Sequence, residues 1–294
     1  MNKLVKLTLD TKRMKKRQRK STFFSFITLL SVSFCFIALI WLFSSIIIDA
    51  IGWVNWQFIL NFPSRFPKQA GIFPGIVGSL ILIILIAIIA IPIGLGAAVY
   101  LEEYASKKTR FYRLIDISIA NLSGVPSIIY GVLGLGIFSY FTFLKGTITA
   151  GAIILALLIL PVIITSSREA LKAVPTSLKE AAYGLGMTKW QMIVAVVIPY
   201  AMPGILTGVI LALSRAIGEG APLIVVGAAT IVTSLPTSLT SSFTAMPILV
   251  YYWSGLPKAE YQNVASAGSV ILIAILLIFN SIAIILRNKF QKKL

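Results

Sequence analysis

The chain has 294 residues, 58% of them hydrophobic, with a mean hydropathy of +0.95 and a net charge of +17. That composition excludes an ordinary soluble domain, in which apolar residues make up about half of the chain and charges about a quarter. With no His and one Cys there is no imidazole or thiolate metal site to build, and without a G-x-x-x-x-G-K-[ST] segment the chain is not expected to bind ATP through a P-loop or to be an enzyme itself.

The basic arm 1–20 comes first, followed by a membrane domain over 21–294 with its core at about 75–287. A bilayer core about 30 Å thick needs roughly 20 apolar residues as helix. Six spans meet that requirement: Phe23–Ile48, Gly75–Tyr100, Ile117–Phe141, Ile148–Thr165, Ala201–Val226 and Val264–Leu286. The first is too long for a signal-peptide core and has no small-residue cleavage site after it, so it reads as an uncleaved helix that holds Cys35 as a packing residue. Asp49–Pro74 is an external loop whose Trp53 and Trp56 suit the membrane interface. The third span is interrupted at Gly124-Val125-Pro126, and the stretch Gly220–Pro257 holds a Ser/Thr-rich part, Thr230–Thr244, before a short apolar piece, Met246–Trp253. That piece is too short to cross and reads as a re-entrant or interfacial helix of an external loop.

Lys and Arg set the orientation. Of 26, 21 fall on the side that holds both termini, the 101–116 segment and the 166–199 loop; four fall on the other side, and Arg215 lies inside a span. Both termini are therefore expected in the cytoplasm. The basic residues mark that face and rest on anionic lipid rather than on nucleic acid.

Arg215 and Glu219, in Leu213-Ser-Arg-Ala-Ile-Gly-Glu-Gly-Ala-Pro-Leu223, are the only charges well inside a span. Four apart, they share one face of a helix and can pair. A charge at that depth is costly and faces protein or a watery path. The planar fork of Arg215 suits an oxyanion, and Glu219 neutralises or orients it; a structural ion pair between helices is the other reading. Small residues at every fourth position, Gly204, Gly208, Ala212, Ala216 and Gly220, let another helix approach, within this chain or from a partner. At Gly124-Val125-Pro126-Ser127 the broken helix presents free N–H groups and the Ser127 hydroxyl to an anion, or is a kink accommodated by its neighbours. Glu102 and Glu103, at the cytoplasmic edge, read as a solvated acidic pair.

The loop between spans four and five carries Glu180-Ala181-Ala182, then Gly186, then Val196-x-Ile198-Pro199. That spacing resembles the "EAA" loop of binding-protein-dependent ABC importers, in which a membrane subunit presents a short coupling helix to a separate ATPase; an ordinary cytoplasmic connector is the alternative. A glycine ends such a helix and a proline starts the next element. Together with Gly96–Ala105 (GAAVYLEEYA), Asn121–Ile137 (NLSGVPSIIYGVLGLGI) and Ala212–Leu223 (ALSRAIGEGAPL), the loop resembles the phosphate-specific ABC importer permeases of the PstA type. The resemblance covers most of Ile76–Val226, with Val196, Ile198 and Gly220 in places the family usually gives to Ile, Leu and Thr.

The resemblance implies an all-α, six-helix membrane fold of the type I ABC importer permease class. It implies a homologous second permease (PstC type), two copies of a P-loop ATPase (PstB type) that bind the ATP and Mg, and an external phosphate-binding protein (PstS type). The chain itself would hold no cofactor and would lie in the bacterial plasma (inner) membrane. Glu180, Ala181, Ala182 and Gly186 would sit at the ATPase; Arg215 and Glu219, with Ser127, would lie on the phosphate path. A same-fold permease for phosphonate, sulfate or molybdate is the runner-up, and an ATP-independent anion carrier or channel comes third.

Overall fold

The computed structural model describes residues 2–229, 231–232 and 234–291; Met1, Thr230, Thr233 and 292–294 lie outside them. Two compact units make up the chain, Met1–Asp49 and Ala50–Leu294. The first is one helix, α1 (Asn2–Ala50), so the basic segment is helical and continuous with the apolar one. Its apolar side chains, among them Phe34 and Trp41, are exposed, a surface that suits lipid.

The second unit begins with a five-residue helix, α2 (Trp56–Leu60), capped by Asn55, whose side chain accepts from Phe58 N–H at 2.7 Å. Next comes α3 (Phe73–Val99), which runs into a π-helical turn at Tyr100–Tyr104. The third predicted span becomes two helices, α4 (Arg110–Ser123) and α5 (Ser127–Tyr140), bent by 106°. Each has 14 residues; at 1.5 Å per residue neither reaches across the roughly 30 Å of a bilayer core. Pro126 explains the break, since its ring would collide with the carbonyl of Leu122 four residues back. That carbonyl is met instead by the Tyr130 hydroxyl at 2.9 Å and by Val125 N–H at 3.2 Å.

The central helix is α6 (Ile148–Lys172), with two-thirds of its apolar stretch buried. After it come α7 (Thr176–Gly184) and α8 (Lys189–Met192), then a π-helical turn at Ile193–Val197 that leads straight into α9 (Ile198–Gly218). The fifth crossing is thus Lys189–Gly218 rather than Ala201–Val226. It ends early because Pro222 cannot continue a helix over the Gly218 carbonyl, and Gly218 and Gly220 are poor helix formers. A separate short helix, α10 (Ala221–Val226), starts at that proline. The last two helices are α11 (Met246–Ser254) and α12 (Glu260–Gln291). Among the described residues five helices are long and apolar enough to cross a membrane, or six if the bent α4–α5 pair counts as one span.

Packing centres on α3, α6 and α9. The small-residue stripe of α9 serves this contact: a Cβ on Gly204 would come within 2.7 Å of the Ala170 Cβ, one on Gly208 would run into Ser166 Oγ, and Ala212 and Ala216 are buried. The stripe therefore brings α9 against α6 of the same chain. Gly208→Leu forces the two helices apart, and overpacking of this kind costs about 1–3 kcal/mol. The expected result is a lower Tm for the purified protein in detergent, measured against a Gly218→Ala control, where a Cβ meets nothing within 4 Å.

The predicted external segments are packed too. Trp253 of α11 is fully buried, with its ring centroid 5.7 Å from that of Phe58 in the 49–74 loop. The Ser/Thr-rich segment docks on the start of α6: Ile148 N–H donates to Ser241 O at 3.1 Å, Thr149 Oγ1 donates to Leu239 O at 2.6 Å, and Phe243 is fully buried.

Candidate functional site

Arg215 sits in the last turn of α9, and Glu219 follows the helix end in extended backbone (φ −83, ψ 112). The two are therefore not on one continuous helix, yet they still meet: Arg215 Nε donates to Glu219 Oε1 at 3.4 Å. Glu219 turns inward, 20% exposed, toward a gap beside Ser79, Leu82 and Leu155, while Arg215 points outward, 43% exposed. Neither terminal nitrogen of the guanidinium has a hydrogen-bond partner among the described residues. The fork is thus held by one edge and open along the other, the edge that binds two oxygens of an anion side by side. Next to it, Ser214 Oγ hydrogen-bonds Asn280 Oδ1 of α12 at 2.5 Å and anchors this turn.

Ser127 begins α5, half-buried. Its hydroxyl is not within hydrogen-bond distance of Arg215 or Glu219. The two helix breaks are nonetheless neighbours. A Cβ on Gly131 of α5 would come within 2.7 Å of the Pro222 Cα of α10. A cavity of about 360 Å³ lies between them, lined by Ile128, Gly218, Gly220, Ala221 and Tyr251 among others. The breaks at Pro126 and Gly218–Pro222 thus open onto one space, with Ser127 and Glu219 each one residue from its wall.

The second site is the 173–188 segment. α7 buries Ala182 in the core of the chain and leaves Glu180 and Ala181 exposed, so Ala182 seats the helix while its neighbours form the free face. Gly186 closes α7 with φ +79, in the left-handed region that favours glycine, and its N–H donates to Tyr183 O at 2.9 Å. Thr188 and Gln191 then form a capping box that starts α8. Around this turn Tyr183, Leu185 and Trp190 are exposed, Leu185 to 80%. Apolar side chains grouped beside a polar helix at the edge of the apolar spans make a surface suited to a protein partner.

The expectation that fails is the solvated pair Glu102 and Glu103. Their side chains are 5% and 7% exposed. Glu102 Oε1 is paired with Lys107 Nζ at 2.5 Å, and the Lys107 ammonium is held above its ordinary value first of all by that hydrogen bond. Glu103 Oε1 is paired with Lys179 Nζ of α7 at 2.5 Å. Arg168 of α6 donates from Nη1 to Asp116 at 2.5 Å and from Nη2 to the Tyr112 hydroxyl at 2.6 Å. The sequence signal for these residues was the acidic pair at a span end; Glu102 finds Lys107 five residues on, whereas the partner of Glu103, Lys179, lies 76 residues along the chain.

Long apolar helices, two neighbouring helix breaks beside one half-paired arginine and an exposed helical loop outside the spans are the features of a membrane transport protein. The chain belongs to the family described as binding-protein-dependent transport system inner membrane component, which residues 90–294 match. It is 35% identical over 272 residues to the probable ABC transporter permease protein YqgI of Bacillus subtilis, covering 87% of this chain and 91% of that one. It is 33% identical over 300 residues to the phosphate transport system permease protein PstA of Yersinia pestis, with 97% and 96% coverage. Among solved structures, a bacterial alginate ABC transporter in complex with its periplasmic protein aligns at a TM-score of 0.66 and 16% identity, over 91% of this chain and 94% of that one. The MetNI methionine ABC transporter aligns at 0.59 and 18%, over 75% and 94%. At such identities the structural likeness establishes the type I importer permease fold and nothing about substrate.

Proposed function

We propose that this chain is the phosphate-conducting permease of an ATP-driven importer in a bacterial plasma membrane. The observation that carries the reading is the Arg215 guanidinium, tethered by Glu219 along one edge and open along the other at the end of a membrane helix. The phosphate transport permeases among its relatives support the same substrate. On this reading Arg215 meets the anion through two parallel N–H donors, and Glu219 holds the fork in place and takes up its charge once the anion has left. Ser127, at the start of α5 and next to Ile128 of the cavity wall, is the next donor along the path.

The partners follow from the same reading. A second, homologous permease completes the path, an external binding protein delivers phosphate, and two copies of a P-loop ATPase bind ATP and Mg. Glu180, Ala181 and Gly186 form the ATPase-facing surface, seated by Ala182.

The test is to co-express the chain with a second permease, an ATPase and a binding protein from the same source, purify in mild detergent and reconstitute into liposomes. The expected result is a stable four-component complex that takes up labelled phosphate only with ATP, and takes up sulfate, molybdate and phosphonate at least about tenfold more slowly. Uptake by this chain alone, without an ATPase, would sink the proposal.

A further inference from the structure

We propose that Glu103 is a positioning residue that ties the coupling surface to α3, so that a push on α7 becomes a movement of α3. The inference rests on the reading of α7 as the ATPase contact.

The two ends of the exposed segment are held by one short piece of chain. Lys179, the residue before Glu180, reaches Glu103, and the Lys189 ammonium, at the start of α8, lies 4.7 Å from the ring centroid of Tyr104. Between the two lysines, Glu180 through Thr188 form an exposed turn seated by the buried Ala182, with Leu185 and Gly186 at its tip. Glu103 and Tyr104 are neighbours on the π-helical turn that ends α3. A load applied at the tip is thus delivered to the last turn of a membrane helix at two points, each five residues from Gly184.

The Glu103–Lys179 link is short and shielded, with side chains 7% and 23% exposed. Shielding matters, because an ion pair in water is screened and yields easily, whereas one removed from water is rigid in both length and direction. Lys179 also shares a face of α7 with Ala182 three residues on, which is buried, so the ion pair and the apolar contact fix α7 from the same side.

The same turn has somewhere to go. Glu102 Oε2 and Arg168 Nε are both buried, neither has a hydrogen-bond partner, and they face each other at 3.9 Å. A buried carboxylate oxygen and a buried guanidinium N–H left about 1 Å short of a hydrogen bond are an unmet pair. A small displacement of the π-helical turn toward α6 closes it. Glu103 is therefore the grip, and the open Glu102–Arg168 contact is the room for movement.

A static ion pair that only stabilises the fold would leave coupling intact in every complex that assembles, and this distinguishes the two roles. The experiment uses the reconstituted four-component complex with Glu103→Gln, Lys179→Gln, and the exchange Glu103→Lys with Lys179→Glu. The readouts are complex yield, ATPase rate with and without phosphate-loaded binding protein, and phosphate imported per ATP hydrolysed. In parallel, Leu185→Cys in a Cys35→Ser background is crosslinked to ATPase lysines with a maleimide–succinimide reagent.

The expected result is a Leu185→Cys crosslink in both the parental and Glu103→Gln complexes, with phosphate per ATP falling roughly tenfold in each single variant. The charge exchange is expected to recover most of that loss. A crosslink together with an unchanged phosphate-to-ATP ratio in Glu103→Gln would overturn the inference alone, as would losses that follow complex yield while the ratio stays constant. No crosslink in the parental complex would overturn the docking reading and the inference with it.

Discussion

Arg215→Gln is expected to reduce phosphate uptake by roughly 100-fold or more while the complex still assembles. Two charge-assisted hydrogen bonds to the anion are lost, each worth about 1.5–3 kcal/mol, and roughly every 1.4 kcal/mol is a factor of ten. Assembly survives because Arg215 is 43% exposed and bonds only Glu219 among the described residues, so its removal leaves no cavity in the core. Arg215→Lys retains the charge but replaces a planar fork with a single ammonium, and poor rather than normal transport is expected. Glu219→Gln separates the two parts of the site. With the internal acceptor weakened, the anion binds Arg215 more tightly and leaves more slowly, so the expected signature is a lower maximal uptake rate together with a lower half-saturating concentration. Uptake of labelled phosphate into proteoliposomes, normalised to complex yield, measures all three. Parental uptake by Arg215→Gln would make the pair structural and put the anion path elsewhere.

Gly186→Trp is expected to insert and fold but to lose uptake and the stimulation of ATPase activity by loaded binding protein. A Cβ at Gly186 meets nothing within 4 Å, so this chain has room for the side chain. The backbone at φ +79 adds strain of about 1–2 kcal/mol for a residue with a Cβ. A bulky ring at this turn therefore obstructs whatever docks on the α7 face more than it disturbs the fold. Gly186→Asn is the control, since Asn tolerates the left-handed conformation and stays small; it is expected to keep most of the coupling. If Gly186→Trp imports phosphate with parental coupling, the α7 turn does not face the ATPase.

The charge at Arg215 was legible because an ionised group inside an apolar stretch stands out against its surroundings, with no knowledge of the fold required. Its pairing with Glu219 was legible too, though through an assumed continuous helix. In the structure Glu219 follows the helix end, and the backbone turn at Gly218–Gly220 keeps it within reach. The shadow of Pro222 upstream on Gly218 was present in the sequence and marks where α9 stops. Pro126 likewise announced a break, but the 106° bend depends on what α4 and α5 pack against.

By itself, the sequence determined the membrane class, the break at Pro126 and the helix-turn of the 173–188 segment. These follow from local preferences: partition of side chains between water and lipid, the missing N–H of proline, the left-handed freedom of Gly186. Only the tertiary structure decided that the α9 glycines pack on α6 of the same chain, and that Glu103 is buried against Lys179, 76 residues away. The reason is physical: hydropathy and periodicity describe which face of a segment avoids water, whereas which two faces meet, and which carboxylate finds which amine, depends on long-range packing that no single segment contains.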